Sequence, residues 1–282
     1  MRNVWDVNMK IRRAHPILDR IKVILTLLTT LVVLWNLAQY MEERADSPKT
    51  ATIQTLLETA LQPVGSTMYV WGGGWDNEDK TSGATSTQIG LYPQWLEFAK
   101  QQDSSYDFNN HRLERENGLD CSGYIGWVVY NTFESKSGRD GYVITSTDMA
   151  KNYADRGWGE WIENPSEFLA GDIVSMDGHV WICLGTCADG SVLLVHSSPP
   201  GVSVCGTTLE DGTESIAVKL ATEYMTKYHP KWQESYPNRM VAATYQKDVT
   251  LMRWNATTMK DAKELQTKSG EEILHIMQSS FY

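Results

Sequence analysis

Four short segments in the middle of the chain carry mostly β-branched and aromatic residues, and each is bounded by Gly, Asp or Pro. Segments of this length and composition predict consecutive antiparallel strands. They are Gly171–Met176, His179–Leu184, Val192–His196 and Val202–Val204. A last strand is predicted at Val241–Tyr245.

Apolar residues at helical spacing flank these strands on both sides. The first predicted helix has Ser47 as N-cap and Pro48 in its first turn, and it ends near Pro63-Val64-Gly65. The other predicted helices are Tyr92–Lys100, Cys121–Tyr130, Thr147–Tyr153, Ile216–Tyr228 and Ser269–Phe281. This order predicts an α+β fold in which the helices pack on an antiparallel meander sheet.

The amino terminus has the charge pattern of a membrane anchor. Residues 1–22 are basic, and residues 23–38 contain no charged side chain. With its flanks this run reaches the roughly 20 residues needed to span a bilayer. The positive-inside rule places residues 1–22 in the cytoplasm and the remainder outside. We therefore expect one transmembrane helix at 23–40, and the alternative is a cleaved signal peptide.

Composition excludes some classes of partner. The 282 residues carry a net charge of −10, which gives no indication of a nucleic-acid ligand. The four cysteines, Cys121, Cys183, Cys187 and Cys205, are too few for a disulfide scaffold. They also lack the histidine or cysteine pair that would complete a zinc site. A Cys187–Cys205 bridge is compatible with an exported domain.

Cys121 follows a polar loop that ends at Gly118 and precedes an apolar run long enough for three helical turns. This places its thiol in the first turn of a buried helix. Free backbone N–H groups and the helix dipole favour a thiolate there, as a nucleophile requires. The alternative is a buried cysteine that acts only as a small apolar residue.

Two histidines, His179 and His196, lie on neighbouring predicted strands. A four-residue hairpin loop at 186–189 would place the two rings opposite each other, within hydrogen-bond reach. A two-residue turn at Asp189-Gly190, the more frequent type, would displace them by four residues. With the wider loop, Cys121 has a base in His179, and His196 orients that base.

Five motifs occur in order: Tyr69-Val70-Trp71-Gly72-Gly73, Gly118-Leu119-Asp120-Cys121-Ser122-Gly123-Tyr124, Gly171-Asp172-Ile173-Val174, Gly178-His179-Val180-Trp181 and Val195-His196-Ser197. Together they resemble the NlpC-type family, papain-like cysteine peptidases of the bacterial cell wall. The resemblance covers roughly residues 50–250.

The resemblance implies a catalytic Cys-His-His triad on Cys121, His179 and His196. It implies hydrolysis of an amide bond in the peptidoglycan stem peptide, often after γ-D-glutamate. Tyr69, Asp120 and Ser122 match positions that bind the substrate. No metal and no organic cofactor are implied.

The chain departs from the family pattern at residues 75–117, which replace a short spacer. We expect this insertion to cover or extend the cleft. The peptidase domain is then predicted at 47–250, with a C-terminal extension at 251–282. Alternative functions are a muramoyl-L-alanine amidase and a non-catalytic domain that binds wall peptides or a secretion or conjugation partner.

Overall fold

The computed structural model describes residues 23–32, 34–35, 51–76, 78, 80–136 and 140–281. The chain divides into two compact units, residues 1–47 and 48–282. In the first unit the described residues are helical, and their apolar side chains are exposed. Within the described residues, no helix combines the length and the apolar character needed to cross a membrane. The predicted anchor at 23–40 includes residues 33 and 36–40, and these lie outside the described residues.

The second unit mixes helices and strands. The described helices are α1 (Ile53–Leu61), α2 (Pro93–Ala99), α3 (Cys121–Phe133), α4 (Met149–Asp155), α5 (Ile216–Tyr228), α6 (Pro230–Ser235) and α7 (Gly270–Phe281). The described strands are β1 (Ala51–Thr52), β2 (Met68–Tyr69), β3 (Gly118–Leu119), β4 (Gly159–Glu163), β5 (Ile173–Met176), β6 (His179–Thr186), β7 (Val192–Ser198), β8 (Gly201–Thr207), β9 (Met240–Val241), β10 (Thr250–Trp254) and β11 (Met259–Lys260).

Most of these strands form one sheet, in the order β3-β2-β8-β7-β6-β5-β10-β4, and β9 pairs with β8. The run from β5 to β8 is the antiparallel meander that the sequence predicts. Strands β1 and β11 pair separately and in parallel. Helices α1 and α3 bury their apolar residues against one face of the sheet, and a second apolar cluster covers part of the other face.

Two predictions about the strands are wrong. The last predicted strand, Val241–Tyr245, is a strand only at Met240–Val241 and continues as a 3-10 helix at Ala243–Gln246. Strands β4 and β10 were not predicted, although β10 lies between β5 and β4 in the sheet. Residues 251–282 thus contribute most of β10, the short strand β11 and helix α7 to the same compact unit as the predicted peptidase domain.

A buried ion pair holds β10 in the sheet. Arg253 donates from Nη2 to Asp172 Oδ2 at 2.8 Å and from Nε to Oδ1 at 3.1 Å. Asp172 is fully buried and also accepts the N–H of Leu169 at 2.9 Å. A two-pronged guanidinium–carboxylate contact fixes both position and direction, so it explains why this segment docks beside β5.

The hairpin between β6 and β7 has neither of the predicted registers. Ile182 pairs with Val195, and a bulge between Cys183 and Gly185 shifts the pairing by one residue before the turn. Residues 187–191 connect the strands, and Cys187 donates its N–H to the carbonyl of Ser191 at 2.8 Å. An extra residue in one strand changes the register without changing the length of the connection.

This register places His179 and His196 in diagonal positions rather than opposite each other. Continuing the pairing from Ile182 and Val195 brings Trp181 into line with His196. His179 then lies two residues further along, on the same face. Diagonal neighbours remain within reach of large side chains, so the change of register does not separate the two rings.

Helix α3 begins against a glycine-rich turn. A Cβ on Gly123 would lie 1.9 Å from the carbonyl oxygen of Gly73 and 3.0 Å from the Cα of Gly74. Both neighbours are backbone atoms and cannot rotate away. The 72–74 turn therefore lies directly against this face of the helix.

The insertion at 75–117 folds onto the sheet edge near β2. Helix α2 buries Trp95 and Phe98, as its sequence predicts. Tyr106 donates its hydroxyl to the carbonyl of Tyr69 at 2.7 Å, and Phe108 packs edge-on against the ring of Tyr69 at 5.3 Å. The insertion is therefore attached directly to a predicted substrate-binding residue.

Gly123→Ala should destabilise the protein by about 2 kcal/mol or more, because the new methyl group overlaps the Gly73 carbonyl and forces the 72–74 turn away from α3. Thermal unfolding measures this change. Glu223→Ala, on the exposed face of α5, is the matched control and should stay within about 0.5 kcal/mol of the wild type. Equal melting temperatures for the two variants would contradict the contact.

Candidate active site

Cys121 is the first residue of α3, and the preceding Asp120 caps that helix. Asp120 Oδ1 accepts the N–H of Gly123 at 2.7 Å. Cys121 is 7% exposed and lines a cleft of about 380 Å³ together with Tyr69, Asp120 and Ser122. Its thiol lies at the backbone N–H of Val180, the residue after His179. Residues from three separate motifs therefore meet at Cys121.

The thiol of Cys121 is not held as a thiolate. Burial raises its pKa to about 12, and the neighbouring Asp120 adds to the rise. The N–H groups of Val180 and Ser122 and the hydroxyl of Ser146 act in the opposite direction and do not compensate. The expected thiolate is therefore wrong for the unliganded protein, because desolvation outweighs the helix terminus.

His179 and His196 form a hydrogen-bonded pair, as the sequence analysis requires of them. Nε2 of His179 lies 2.9 Å from Nδ1 of His196, and the ring planes meet at 75°. Burial lowers the pKa of His179 to about 4 and that of His196 well below its usual range. Both rings are thus neutral at neutral pH, and Nδ1 of His179 is left as the atom able to accept a proton.

Tyr245 contacts both imidazoles, and no motif in the sequence identifies it; it lies at the end of the strand that was wrongly predicted. Its ring centre lies 5.6 Å from that of His179 and 6.0 Å from that of His196, both in edge-to-face geometry. Burial raises the pKa of its hydroxyl to about 12, with smaller contributions from Cys205 and Cys121. The 3-10 turn that replaces the predicted strand places this ring over the pair.

Arg239 lies behind His196 and is almost fully buried. Its Nη2 donates to the carbonyl of Tyr236. Its Nε and Nη1 have no hydrogen-bond partner in the described part of the chain. The guanidinium charge acts with burial and with His179 to lower the pKa of His196. A fixed cation at this position therefore favours the neutral form of the histidine pair.

The three predicted substrate-binding residues are already engaged with the protein. Asp120 accepts the N–H of Gly72 at 3.1 Å as well as that of Gly123, and burial raises its pKa to about 6. Ser122 donates its hydroxyl to Asp120 at 2.9 Å and accepts the indole N–H of Trp75 at 3.0 Å. Asp120 and Ser122 thus stabilise the first turn of α3, and Tyr69 lines the cleft beside them.

Several cleft residues were not identified from the sequence. Ser146 and Thr147 come from a 3-10 turn, and Trp75, Lys80 and Arg115 come from the insertion. None belongs to a motif with a recognisable spacing, and the fold alone brings them to Cys121. None of the described histidines lines this cleft, but Gly178, which precedes His179, does.

The other cysteines do not form the disulfide that the sequence allows. Cys187 and Cys205 are free, as are Cys121 and Cys183. Within the described residues, no group of three or more His, Cys, Asp or Glu side chains is arranged to hold a metal ion.

Compared with protein-family models, with curated proteins and with solved structures, the chain matches none of them.

Alkylation of Cys121 by iodoacetamide should be slow at pH 7 and should rise by about tenfold per pH unit beyond pH 9. The physical reason is that burial raises the pKa of this thiol to about 12, so the reactive thiolate is scarce at neutral pH. Quenched reactions of the full-length chain, digested and read by mass spectrometry, distinguish Cys121 from the other cysteines.

The control is the same chain in denaturant, where all four thiols should react as ordinary cysteines. A rate for native Cys121 that levels off below pH 8 would contradict the prediction, because it would require a thiolate already formed at neutral pH.

Proposed function

We propose that this chain is a papain-like cysteine peptidase of the NlpC type, which hydrolyses an amide bond in peptidoglycan stem peptides. The proposed bond joins γ-D-glutamate to diaminopimelate or lysine. The observation that carries the proposal is the position of Cys121, at a helix N-terminus in a cleft with its thiol at the N–H of Val180, next in the chain to a histidine that is hydrogen-bonded to a second neutral imidazole. A cleft that only binds peptides has no need of a base held in place by a second imidazole.

The neutral state of the site determines how the proposed reaction starts. His179 Nδ1 takes the proton from Cys121 as the sulfur attacks the substrate carbonyl, so thiolate and imidazolium form only during the attack. His196 accepts the Nε2–H of His179 and holds the ring in the required tautomer. Its own depressed pKa keeps it an acceptor throughout.

The first turn of α3 supplies the proposed oxyanion site. The backbone N–H of Cys121 stands at the first helical position and has no partner within the helix. It can therefore donate to the oxygen of the tetrahedral intermediate. Collapse of that intermediate passes the proton from His179 to the leaving amine. Water activated by the same ring then hydrolyses the thioester.

Digestion of purified peptidoglycan by the full-length chain should release fragments with a new amine on diaminopimelate or lysine, identified by mass spectrometry. Cys121→Ala should reduce the rate by roughly a thousandfold or more, because it removes the nucleophile. Cys187→Ala is the matched control and should keep the activity, since Cys187 lies in the hairpin connection away from the cleft.

The fragments also separate the alternatives. A new amine on L-alanine would assign the amidase reaction instead. Unchanged peptidoglycan after digestion with a correctly folded chain would contradict hydrolysis and leave a binding function.

We further infer that residues 23–40 anchor the chain in the membrane, with the cleft on the outer side. The support is the uncharged run at 23–38 after a basic segment. The full-length chain should then remain in the membrane pellet after an alkaline carbonate wash. Release into the supernatant, or a mature chain that begins beyond residue 40, would favour a cleaved signal.

A further inference from the structure

The insertion adds basic residues to the cleft beside Cys121, in a chain of net charge −10. Lys80 and Arg115 line it, and Arg112 stacks 4.2 Å above the ring of Trp71, which lines the same cleft. All three cations come from the insertion at 75–117. Among the described residues, the acidic side chains that line this cleft are Asp120 and Asp76, and Asp76 accepts the N–H of Glu78 at 2.7 Å.

Lys80 and Arg115 have no acidic partner among the residues that the structure describes. Among the described residues, neither side chain takes part in an ion pair. Arg115 donates from Nη1 to the carbonyl of Trp75 at 3.1 Å, and its Nε is buried without an acceptor. A donor that is buried and unpaired costs free energy, which a ligand with a suitable acceptor would recover.

The Nε–Nη2 edge of Arg115 packs beside Gly72. A Cβ on Gly72 would lie 2.9 Å from Leu113 Cδ2, 3.4 Å from Arg115 Nε and 3.7 Å from Nη2, so a side chain at this position would crowd that edge. The Nε–Nη2 edge of a guanidinium is the one that grips a carboxylate with two parallel hydrogen bonds. Gly72 is itself a lining residue of the Cys121 cleft.

The acidic lining of a neighbouring cleft limits the side from which an anion can approach Arg115. This neighbouring cleft, of about 680 Å³, shares Trp75, Asp76 and Arg115 with the first, but its other lining residues include Glu78, Glu114 and Glu116. Lys80 lines only the cleft that contains Cys121. An anion is therefore favoured on the Cys121 side of Arg115 and repelled on the other side.

We propose that Arg115 and Lys80 form a carboxylate-binding subsite, built by the insertion, that selects peptides with a free carboxylate beside the scissile amide. This inference rests on the proposed peptidase function for the identity of the ligand. It assigns the insertion a role in specificity: a peptide whose carboxylate is converted to an amide loses the charge that the two cations recognise.

Two synthetic peptides test the subsite, L-Ala-γ-D-Glu-L-Lys with a free α-carboxylate on the glutamate and the same peptide with an α-carboxamide. Their affinities are measured by isothermal titration calorimetry with the full-length Cys121→Ala chain, which binds without turnover. The peptide with the free carboxylate should bind roughly tenfold more tightly than the carboxamide peptide. This is a typical effect of one charge-assisted contact that is partly exposed. Adding Lys80→Gln and Arg115→Gln should abolish the difference.

Two further variants separate recognition from folding. Arg115→Lys retains a cation and should keep a reduced preference for the carboxylate, whereas Lys219→Gln removes an exposed cation of α5 and should leave the preference unchanged. Equal affinities for both peptides in the Cys121→Ala chain would overturn the subsite. A preference that survives the double substitution would also overturn it.

Hydrolysis by the wild-type chain is measured in parallel, so that the two proposals fail separately. If the carboxylate preference appears but neither peptide is cleaved, the peptidase proposal is overturned and the subsite stands. Cleavage of both peptides at equal kcat/KM, with equal binding, overturns the subsite and supports the peptidase. Absence of binding and of cleavage overturns both.

Discussion

The carboxylate of Asp120 connects the nucleophile to the rest of the unit. One oxygen accepts the N–H of Gly123 and so caps α3, and the other accepts the N–H of Gly72 in the facing turn. The turn and the helix approach so closely that a side chain at Gly123 would overlap the Gly73 carbonyl. Because the two segments are joined by hydrogen bonds at one buried carboxyl, the position of Cys121 at the head of the helix is fixed from both sides. The cleft, its lining and the approach of β6 all depend on that junction.

Burial decides the electrostatics of the site. Removing Cys121 and His179 from water disfavours the charged form of each, so the pKa of the thiol is raised to about 12 and that of the ring lowered to about 4. The unpaired guanidinium of Arg239 acts in the same direction on His196. The site therefore holds a neutral thiol and neutral imidazoles, and in the proposed reaction charge would separate only during the attack. A substrate that fills the cleft and donates or accepts hydrogen bonds there can supply the stabilisation that the free protein lacks.

The insertion changes what the cleft can recognise. The indole N–H of Trp75 donates to the hydroxyl of Ser122, and the hydroxyl of Tyr106 donates to the carbonyl of Tyr69. Two residues that the family resemblance assigns to substrate binding are therefore hydrogen-bonded within the protein. In their place the insertion presents cations without carboxylate partners. The nucleophile and the histidine pair come from the sheet and α3, whereas the selectivity that we propose comes from a segment added at the sheet edge. Such a division is common where loops carry specificity on a rigid scaffold.

Local sequence patterns were sufficient to predict the elements that depend mainly on neighbouring residues. The four strands of the meander, the extent of α5 and the placement of Cys121 at a helix start follow from periodicity, turn residues and capping. The bulge between Cys183 and Gly185, the docking of β10 by Arg253, the position of Tyr245 and the pKa values of the site do not. These features depend on contacts between residues far apart in the chain and on the exclusion of water. A short stretch of sequence shows neither of them. The sequence by itself determined which side chains are present to form a nucleophile and a base; the tertiary structure decided their register, their charge and the cations that face them, because burial and long-range packing exist only in the folded chain.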